Sequence, residues 1–532
     1  MEKRSVVLFA VLILLFVGIY FRIHELTCGG MQAEAAAGQG RCTLEVYRSR
    51  GMIYDCRGTP LVNSSFKTVG TVLPGPKSAL ALKGLFPDGE TWLERMRSGK
   101  PFALELADNG MGYPGVEAFQ TPVRYGENQL AVQTIGYTDG EGKGMAGVER
   151  AYDELLAVGG EKLDVSYEVN ALGQALAGGE PEISLTGEAL SGVRLTLDAR
   201  IQRACEEVMK RYVGRGAAVV MEADTGKLRA VVSLPDYDPA DVADFVDRED
   251  SPFINRAFSA YAVGSTFKLL TAAAALEEGI SPERTYECRG YIDVEGQIFK
   301  CNNLAGHGEM TMETAVEYSC NTYFIDLALE LGGEALRREA LSFGFSRSDL
   351  IADRMETASG SIPSLNQLEN PAELGNFGFG QGVLTATPVQ IAKLTAVFAN
   401  GGYLVTPRLI EGTVDAQGNF FAAEGFAPNR VTDEADARKI GNFMRLTVEE
   451  GTGVLAAPEQ GGAGGKTASA QTGILNPDTG EEIVHAWFSG FFPAEAPKYV
   501  LVVFMEDGQS GNRAAAPVFK EIADRVTQAL AE

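Results

Sequence analysis

The order of the periodic apolar segments in the C-terminal two thirds of the chain constrains its fold more than any other feature. Two apolar runs in residues 216–234 flank an Asp-Thr-Gly turn at 224–226, which predicts a β-hairpin. The later segments are two helical stretches, two strand-like runs and a final helix: 311–331, 387–399, 486–493, 498–507 and from about 516. This order predicts an α+β domain whose sheet is closed by segments from both of its ends.

Two helix starts can be read from capping residues. Asp198 is a plausible N-cap for an amphipathic helix within residues 195–213, and Thr387-Pro388 combines a cap with proline at the first helical position. The helical stretch 311–331 is expected to break midway. Before these segments, residues 41 to about 190 alternate short strand-like runs with Gly and Pro breaks, which predicts a β-rich domain.

The N-terminus carries an apolar run, Val6–Phe21, between Lys3-Arg4 and Arg22. Its length favours an uncleaved membrane anchor over a cleaved signal peptide, and the basic residues orient the remaining chain to the extracytoplasmic side. The predicted organisation is a cytoplasmic tail 1–4, a transmembrane anchor 5–22, a linker 23–40, a β-rich domain 41–191 and an α+β domain 192–532.

Charge and cysteine content exclude several classes of function. The 71 acidic residues outnumber the 46 basic ones, giving a net charge of −25, which argues against binding to nucleic acid. The seven cysteines are an odd number and include no CxxC pair, so we predict no zinc or other metal site. Cys288 and Cys301 bracket a local hairpin and either form a disulfide or remain two buried thiols. Only three histidines are present, which leaves little material for a histidine-based catalytic triad, and His307 is expected to be a loop or structural residue rather than a catalytic one.

Three short motifs occur in a fixed order. Ser265-x-x-Lys268 stands at a helix start, Ser319-Cys320-Asn321 follows inside a helical region, and Lys466-Thr467-Ala468 precedes the last strands. Each motif alone is weak evidence.

A decoy shows how weak: Ser64-x-x-Lys67 repeats the first pattern in a strand-like region. By itself Lys268 would also be interpreted as a surface lysine whose amine reaches solvent. The ordered combination instead matches the motif set of serine acyl-transferases, S-x-x-K, S-x-N and K-T-G.

The chain resembles the class B penicillin-binding proteins, which are membrane-anchored peptidoglycan D,D-transpeptidases. The resemblance extends over nearly the whole chain and includes AVVMEADTGKLRAVVSLPDYDP, NRAFSAYAVGSTFKLLTAAAALEEG and GFGQGVLTATPVQIAKLTAVFANGG. It implies a transpeptidase domain of the serine β-lactamase/D,D-peptidase-like type, an antiparallel sheet flanked by helices. It also implies that residues 41–191 form the family's pedestal, or dimerisation, domain.

The resemblance assigns roles that agree with the chemistry of the residues. Ser265 would be the nucleophile, Lys268 its base with a pKa lowered by burial and nearby positive charge, and Ser319 a proton relay. The residues expected to bind substrate are Asn321, Lys466, Thr467 and Ser469. The backbone N–H groups of Ser265 and Ser469 would form the oxyanion hole.

The implied ligands are D-Ala-D-Ala stem peptides and β-lactams, and no cofactor is expected. The implied partners are the cell membrane and a multi-spanning glycosyltransferase, with no nucleic acid. Two positions depart from the family pattern: Val263 replaces a proline and Ala468 replaces the glycine of the third motif. Strand alternation should point the Ala468 methyl away from the face of Thr467, so acylation is expected to be retained.

Three other functions remain open from the sequence. A D,D-carboxypeptidase would use water as the acyl acceptor. A β-lactamase would deacylate quickly. A non-catalytic scaffold would keep the fold, with Ala468 as its only support.

Overall fold

A computed structural model describes residues 2–28, 40–86, 90–107, 112–176, 178–477 and 479–531. Its strands, in chain order, are β1 Arg41–Arg48, β2 Met52–Tyr54, β3 Ser65–Val72, β4 Phe102–Leu106, β5 Val116–Val123, β6 Gly160–Glu168, β7 Glu182–Glu188, β8 Gly192–Leu195, β9 Gly216–Glu222, β10 Leu228–Leu234, β11 Tyr261–Ala262, β12 Tyr286–Cys288, β13 Tyr291–Val294, β14 Gln297–Lys300, β15 Gly308–Met310, β16 Leu350–Ala352, β17 Met355–Glu356, β18 Thr385–Ala386, β19 Tyr403–Leu404, β20 Ile410–Val414, β21 Phe420–Ala422, β22 Asn429–Arg430, β23 Gly464–Leu475, β24 Glu482–Phe492 and β25 Tyr499–Met505.

The α-helices, again in chain order, are α1 Glu2–Cys28, α2 Pro76–Leu85, α3 Glu90–Ser98, α4 Val132–Ile135, α5 Gly147–Ala151, α6 Asp153–Val158, α7 Ala199–Tyr212, α8 Lys268–Glu277, α9 Met312–Glu317, α10 Asn321–Leu331, α11 Gly333–Ser342, α12 Leu365–Leu368, α13 Pro371–Gly378, α14 Pro388–Ala399, α15 Glu434–Glu449 and α16 Ala516–Ala531. The chain divides into two compact units. The first comprises residues 1–50, 63–124 and 159–189, and the second comprises residues 51–62, 125–158 and 190–532.

A five-stranded antiparallel sheet organises the second unit, with strand order β10-β9-β25-β24-β23. The hairpin β9–β10 comes from the start of the domain and β23–β25 come from its end, which confirms the predicted α+β arrangement. The central strands are buried along almost their whole length because helices cover both faces of the sheet.

Side-chain alternation along these strands separates two hydrophobic layers. Val219 and Val502 point to the layer that contains α8 and α14. Val220 and Val503 point to the layer that contains α7 and α16. The period of two in a strand therefore fixes which helices each residue meets.

The predicted helix boundaries are confirmed by their caps. The Asp198 carboxylate accepts a hydrogen bond from the Arg200 N–H at the start of α7, and Thr387 caps α14 in a reciprocal box with Gln390. The stretch 311–331 is broken between α9 and α10, as expected, because Ser319 adopts a left-handed conformation with φ of 57°.

The first unit contains two three-stranded sheets, of order β1-β6-β7 and β4-β3-β5. The second of these packs with α2 and α3 around a small core that includes Leu82, Trp92 and Phe102. Lys67 of the decoy motif lies on strand β3 and not at a helix start, and it forms an exposed ion pair with Glu105.

The two compact units are not separated by a single boundary at residue 191, where the sequence predicted the domain boundary. Residues 51–62 and 125–158 pack within the second unit: β2 pairs in parallel with β8, and Ile53, Val148 and Leu156 are buried in that unit's core. The sequence pattern could not show this because the strand pairing joins residues about 140 positions apart.

Among the described residues, one helix is long and apolar enough to cross a membrane. It covers Arg4–His24 within α1 and has a mean hydropathy of 2.8. Of the predicted linker 23–40, residues 29–39 lie outside the described part of the chain.

Candidate active site

The first motif lies where a 3-10 turn, Gly264–Phe267, leads directly into α8. Gly264 has φ of 68° and donates its N–H to the Gly380 carbonyl at 2.9 Å. A Cβ on Gly380 would lie 1.9 Å from the Gly264 carbonyl oxygen, so glycine is required for this approach of the two backbones. The turn places Ser265 half-buried at the helix start, with its carbonyl accepting the Lys268 N–H.

Lys268 is fully buried and its amine is held by the second motif. Its Nζ donates to the Ser319 carbonyl at 2.7 Å, to Ser319 Oγ at 3.2 Å and to Asn321 Oδ1 at 2.7 Å. Burial lowers the pKa of Lys268 to about 8, because removal from water penalises the ammonium form. The interpretation of Lys268 as a solvent-reaching surface lysine is therefore wrong.

The second motif spans the break between α9 and α10. Ser319 is only 7% exposed and holds a left-handed conformation that costs a serine on the order of 1 kcal/mol. Cys320 is the N-cap residue of α10, and Asn321 is its first residue. The break turns the Ser319 carbonyl and the Asn321 amide toward the same amine, which a continuous helix would not do.

The third motif lies on the edge strand β23, which pairs with β24 so that Lys466 faces Ser489 and Ala468 faces Trp487. Lys466 is fully buried, and burial together with the positive charge of Lys268 lowers its pKa well below the usual value. A charge on Lys268 therefore disfavours a second charge on Lys466.

The remaining atoms of this strand are positioned by local contacts. Thr467 Oγ1 lies 3.1 Å from Thr452 Oγ1. Ser469 is exposed, and its Oγ accepts the Gly511 N–H at 3.2 Å. Ala468 is 3% exposed, and a Cβ on Gly264 would lie 3.2 Å from its methyl group, so the methyl packs under the Ser265 turn as part of the core.

These contacts bring the three motifs into one site. The second motif binds Lys268 directly, and β23 packs against the turn that carries Ser265. The Trp487 indole donates to the Ala262 carbonyl at 3.0 Å and so ties β24 to the segment leading into that turn. The arrangement offers an alcohol at a helix start, a buried amine with a lowered pKa and a second buried lysine on β23, which together suit acyl transfer.

One cluster of potential metal ligands was not predicted from the sequence. The donor atoms of Cys288, Cys301, His307 and Cys320 all lie within 4.8 Å of one another. We expected no metal site because the chain has no CxxC pair, but the spacing of these four residues, 13, 6 and 13 positions, was available as a signal. The six cysteines whose side chains are described are free thiols, so Cys288 and Cys301 are not joined in a disulfide here.

Comparisons with known proteins point to one family. The family model of the penicillin-binding protein transpeptidase domain matches residues 216–524. The chain is 30% identical to stage V sporulation protein D of Bacillus subtilis over 426 residues, covering 77% of this chain and 64% of that protein's length. It is 28% identical to the peptidoglycan D,D-transpeptidase MrdA of Haemophilus influenzae, covering 79% of this chain and 71% of that protein.

A solved structure is similar over the full length. The chain in question belongs to a peptidoglycan synthase complex described as showing structural coordination of polymerization and crosslinking. It has a TM-score of 0.72, 25% sequence identity and 98% coverage of both chains.

Proposed function

Because the chain belongs to the class B penicillin-binding proteins and carries their transpeptidase domain, we propose that it crosslinks peptidoglycan stem peptides through an acyl-enzyme on Ser265. The same serine would be acylated by β-lactams. The observation that carries this proposal is the buried amine of Lys268, which has a lowered pKa, lies one helical turn after Ser265 and is bonded to Ser319 and Asn321. No cofactor is part of the proposed reaction.

The acylation step follows from this arrangement. Neutral Lys268 accepts the Ser265 hydroxyl proton while Ser265 Oγ attacks the carbonyl of the penultimate D-Ala. The C–N bond then breaks, and Ser319, which lies 3.2 Å from the amine, relays the proton to the departing D-Ala nitrogen. An ester on Ser265 remains.

The transfer step reverses this proton path. The amine of a neighbouring stem peptide attacks the ester, its proton passes through Lys268 to Ser265 Oγ, and the new amide leaves. We propose that the substrate is held on both sides of the serine. Asn321 would bind the donor's peptide backbone, Lys466 and Thr467 would bind its terminal carboxylate, and the N–H groups of Ser265 and Ser469 would bind the oxyanion.

The same proposal covers location and partners. The apolar helix within residues 5–22 would anchor the chain in the cell membrane with its catalytic domain on the extracytoplasmic side. Residues 41–191 would be the pedestal domain. A multi-spanning glycosyltransferase is the proposed partner, supported by the similarity to a chain from a peptidoglycan synthase complex.

Labelling with a fluorescent penicillin tests the nucleophile. The full-length protein in detergent should form a stable adduct, which Ser265→Ala should abolish and which Ser64→Ala, the decoy control, should leave unchanged. An adduct retained in Ser265→Ala would overturn the assignment, and no adduct in the wild type would favour a scaffold.

Two further readouts separate the alternative functions. An adduct that hydrolyses within seconds would favour a β-lactamase. Incubation with a stem pentapeptide then distinguishes acceptors: crosslinked product supports the transpeptidase, whereas release of D-Ala without crosslinking, even with acceptor amine present, would favour a D,D-carboxypeptidase.

A further inference from the structure

Three thiols and one imidazole converge beside the second motif. Cys288, Cys301 and Cys320 are each 3% exposed or less, and His307 is half-buried with its Nδ1 turned toward the sulfurs. The Nδ1 atom lies 3.5 Å from the sulfurs of Cys288 and Cys301, and the sulfurs of Cys301 and Cys320 are 3.7 Å apart.

These distances match the edges of a metal tetrahedron. With Zn–S bonds of about 2.3 Å and Zn–N bonds of about 2.0 Å, tetrahedral angles place two sulfurs about 3.8 Å apart and a sulfur and a nitrogen about 3.5 Å apart. A disulfide would instead need the two sulfurs about 2.0 Å apart. The described spacing therefore fits a shared central ion better than a covalent pair.

The four residues come from separate elements that the backbone brings to one point. Cys288 ends β12 and His307 precedes β15, and these two strands pair with each other. Cys301 follows directly after β14, and its N–H donates to the Gly290 carbonyl at 2.9 Å. Gly306, with φ of 86°, allows close approach, since a Cβ there would lie 2.4 Å from the Cys288 carbonyl oxygen.

The surroundings suit thiolate ligands. The Thr322 hydroxyl donates to the Cys288 sulfur at 3.1 Å. The same hydroxyl lies 3.4 Å from the Cys320 sulfur. Such donors stabilise sulfur that carries negative charge, as second-shell groups do around metal-bound thiolates.

We propose that Cys288, Cys301, His307 and Cys320 bind one Zn²⁺ ion as a closed, structural Cys₃His site. Three soft thiolates and one imidazole select a thiophilic ion with tetrahedral geometry, and four protein ligands leave no open position for catalysis. The chemistry of the donors does not fit Mg²⁺ or Ca²⁺, which prefer oxygen ligands.

The site has a consequence for the second motif. Cys320 stands between Ser319 and Asn321, the two residues that bind the Lys268 amine. A metal held by Cys320 would fix the start of α10 to the hairpin segment 286–310 and so help to hold Ser319 in its left-handed conformation. The ion would act as a positioning element for the relay serine and would not touch the substrate.

Metal analysis of the purified full-length protein tests the proposal. After exhaustive dialysis, inductively coupled plasma mass spectrometry should find about one zinc ion per wild-type chain. The Cys288→Ser and Cys301→Ser variants should lose this zinc. Cys205→Ser is the matched control, because Cys205 is an equally buried thiol on α7 and outside the cluster. The zinc content is measured without an enzymatic assay, so this result does not depend on the proposed transpeptidase function.

A second measurement covers the possibility that the ligand variants fail to fold. The zinc of the wild type is removed with a strong chelator and replaced with Co²⁺, which should give the charge-transfer absorption of thiolate–cobalt bonds and tetrahedral visible bands. Chelation should also lower the thermal midpoint by on the order of 5 °C and slow acylation by penicillin, and added Zn²⁺ should restore both.

Three outcomes would overturn the proposal. The first is wild-type protein that contains less than about 0.2 zinc per chain and gives no thiolate–cobalt band. The second is zinc that persists at the wild-type level in both folded ligand variants. The third is mass-spectrometric evidence that two of the three cluster cysteines are joined in a disulfide.

Discussion

The pH dependence of acylation should report the buried amine of Lys268. Burial lowers its pKa from 10.5 to about 8, so the neutral base makes up about 9% of the population at pH 7, against about 0.03% for an unperturbed lysine. In the proposed acylation only a neutral Lys268 could accept the Ser265 proton, so the rate constant should follow this fraction. It should rise about 50-fold between pH 6 and pH 8 and change by less than about twofold above pH 8.

Stopped-flow or quenched-flow labelling with a penicillin, scored by intact-protein mass, measures this profile without interference from the pH dependence of a fluorophore. Ser265→Ala gives the blank. Lys268→Arg is the matched control, because a guanidinium remains charged throughout and should reduce acylation by about 10²- to 10⁴-fold at every pH.

Two results would refute this reasoning. A rate that is constant from pH 6 to pH 9, or that rises only near pH 10.5, would show that Lys268 does not act as a base with a lowered pKa. Acylation of Lys268→Arg at the wild-type rate would show that proton transfer follows another route.

Three further substitutions test the fold and the site. Ala468→Gly should be acylated at a rate within about tenfold of the wild type. Its free energy of unfolding should fall by about 1 kcal/mol, because a buried methyl group is removed from the strand. An inactive wild type that is rescued by glycine would contradict this prediction. Lys393→Met should lower the free energy of unfolding by about 3–5 kcal/mol, since it leaves the buried Asp349 carboxylate without its cation at 2.6 Å, whereas the double variant Lys393→Met/Asp349→Leu should recover most of that loss. Urea unfolding followed by tryptophan fluorescence measures both effects, and equal loss in the single and double variants would show that the ion pair is not the cause. Asp198→Ala should lower the free energy of unfolding by about 1 kcal/mol, because the Arg200 N–H loses its capping acceptor. Asp198→Asn keeps an acceptor and should retain most of that stability, as measured by thermal melts.

Much of the fold could be predicted from the sequence because the signals are local. The hairpin β9–β10 follows from two apolar runs around a tight turn, and the starts of α7 and α14 follow from capping residues that act within three positions. The order of the three motifs was equally readable, because each is a short local pattern.

The resemblance, rather than periodicity, predicted that Lys268 and Ser319 would meet. The structure adds how they do so. A left-handed Ser319 ends one helix and presents its carbonyl, its hydroxyl and the Asn321 amide to one amine, and no local pattern in the sequence announces that geometry.

The sequence by itself therefore determined the hairpin β9–β10, the starts of α7 and α14, and the order of the three motifs, since those depend on turn residues, capping and other short-range patterns. Tertiary structure alone decided the lowered pKa of Lys268, the membership of residues 51–62 and 125–158 in the second unit, and the convergence of the Cys288 cluster. Each of these depends on burial between segments far apart in the chain, where many pairings satisfy the local rules and only the packing of the whole core selects one.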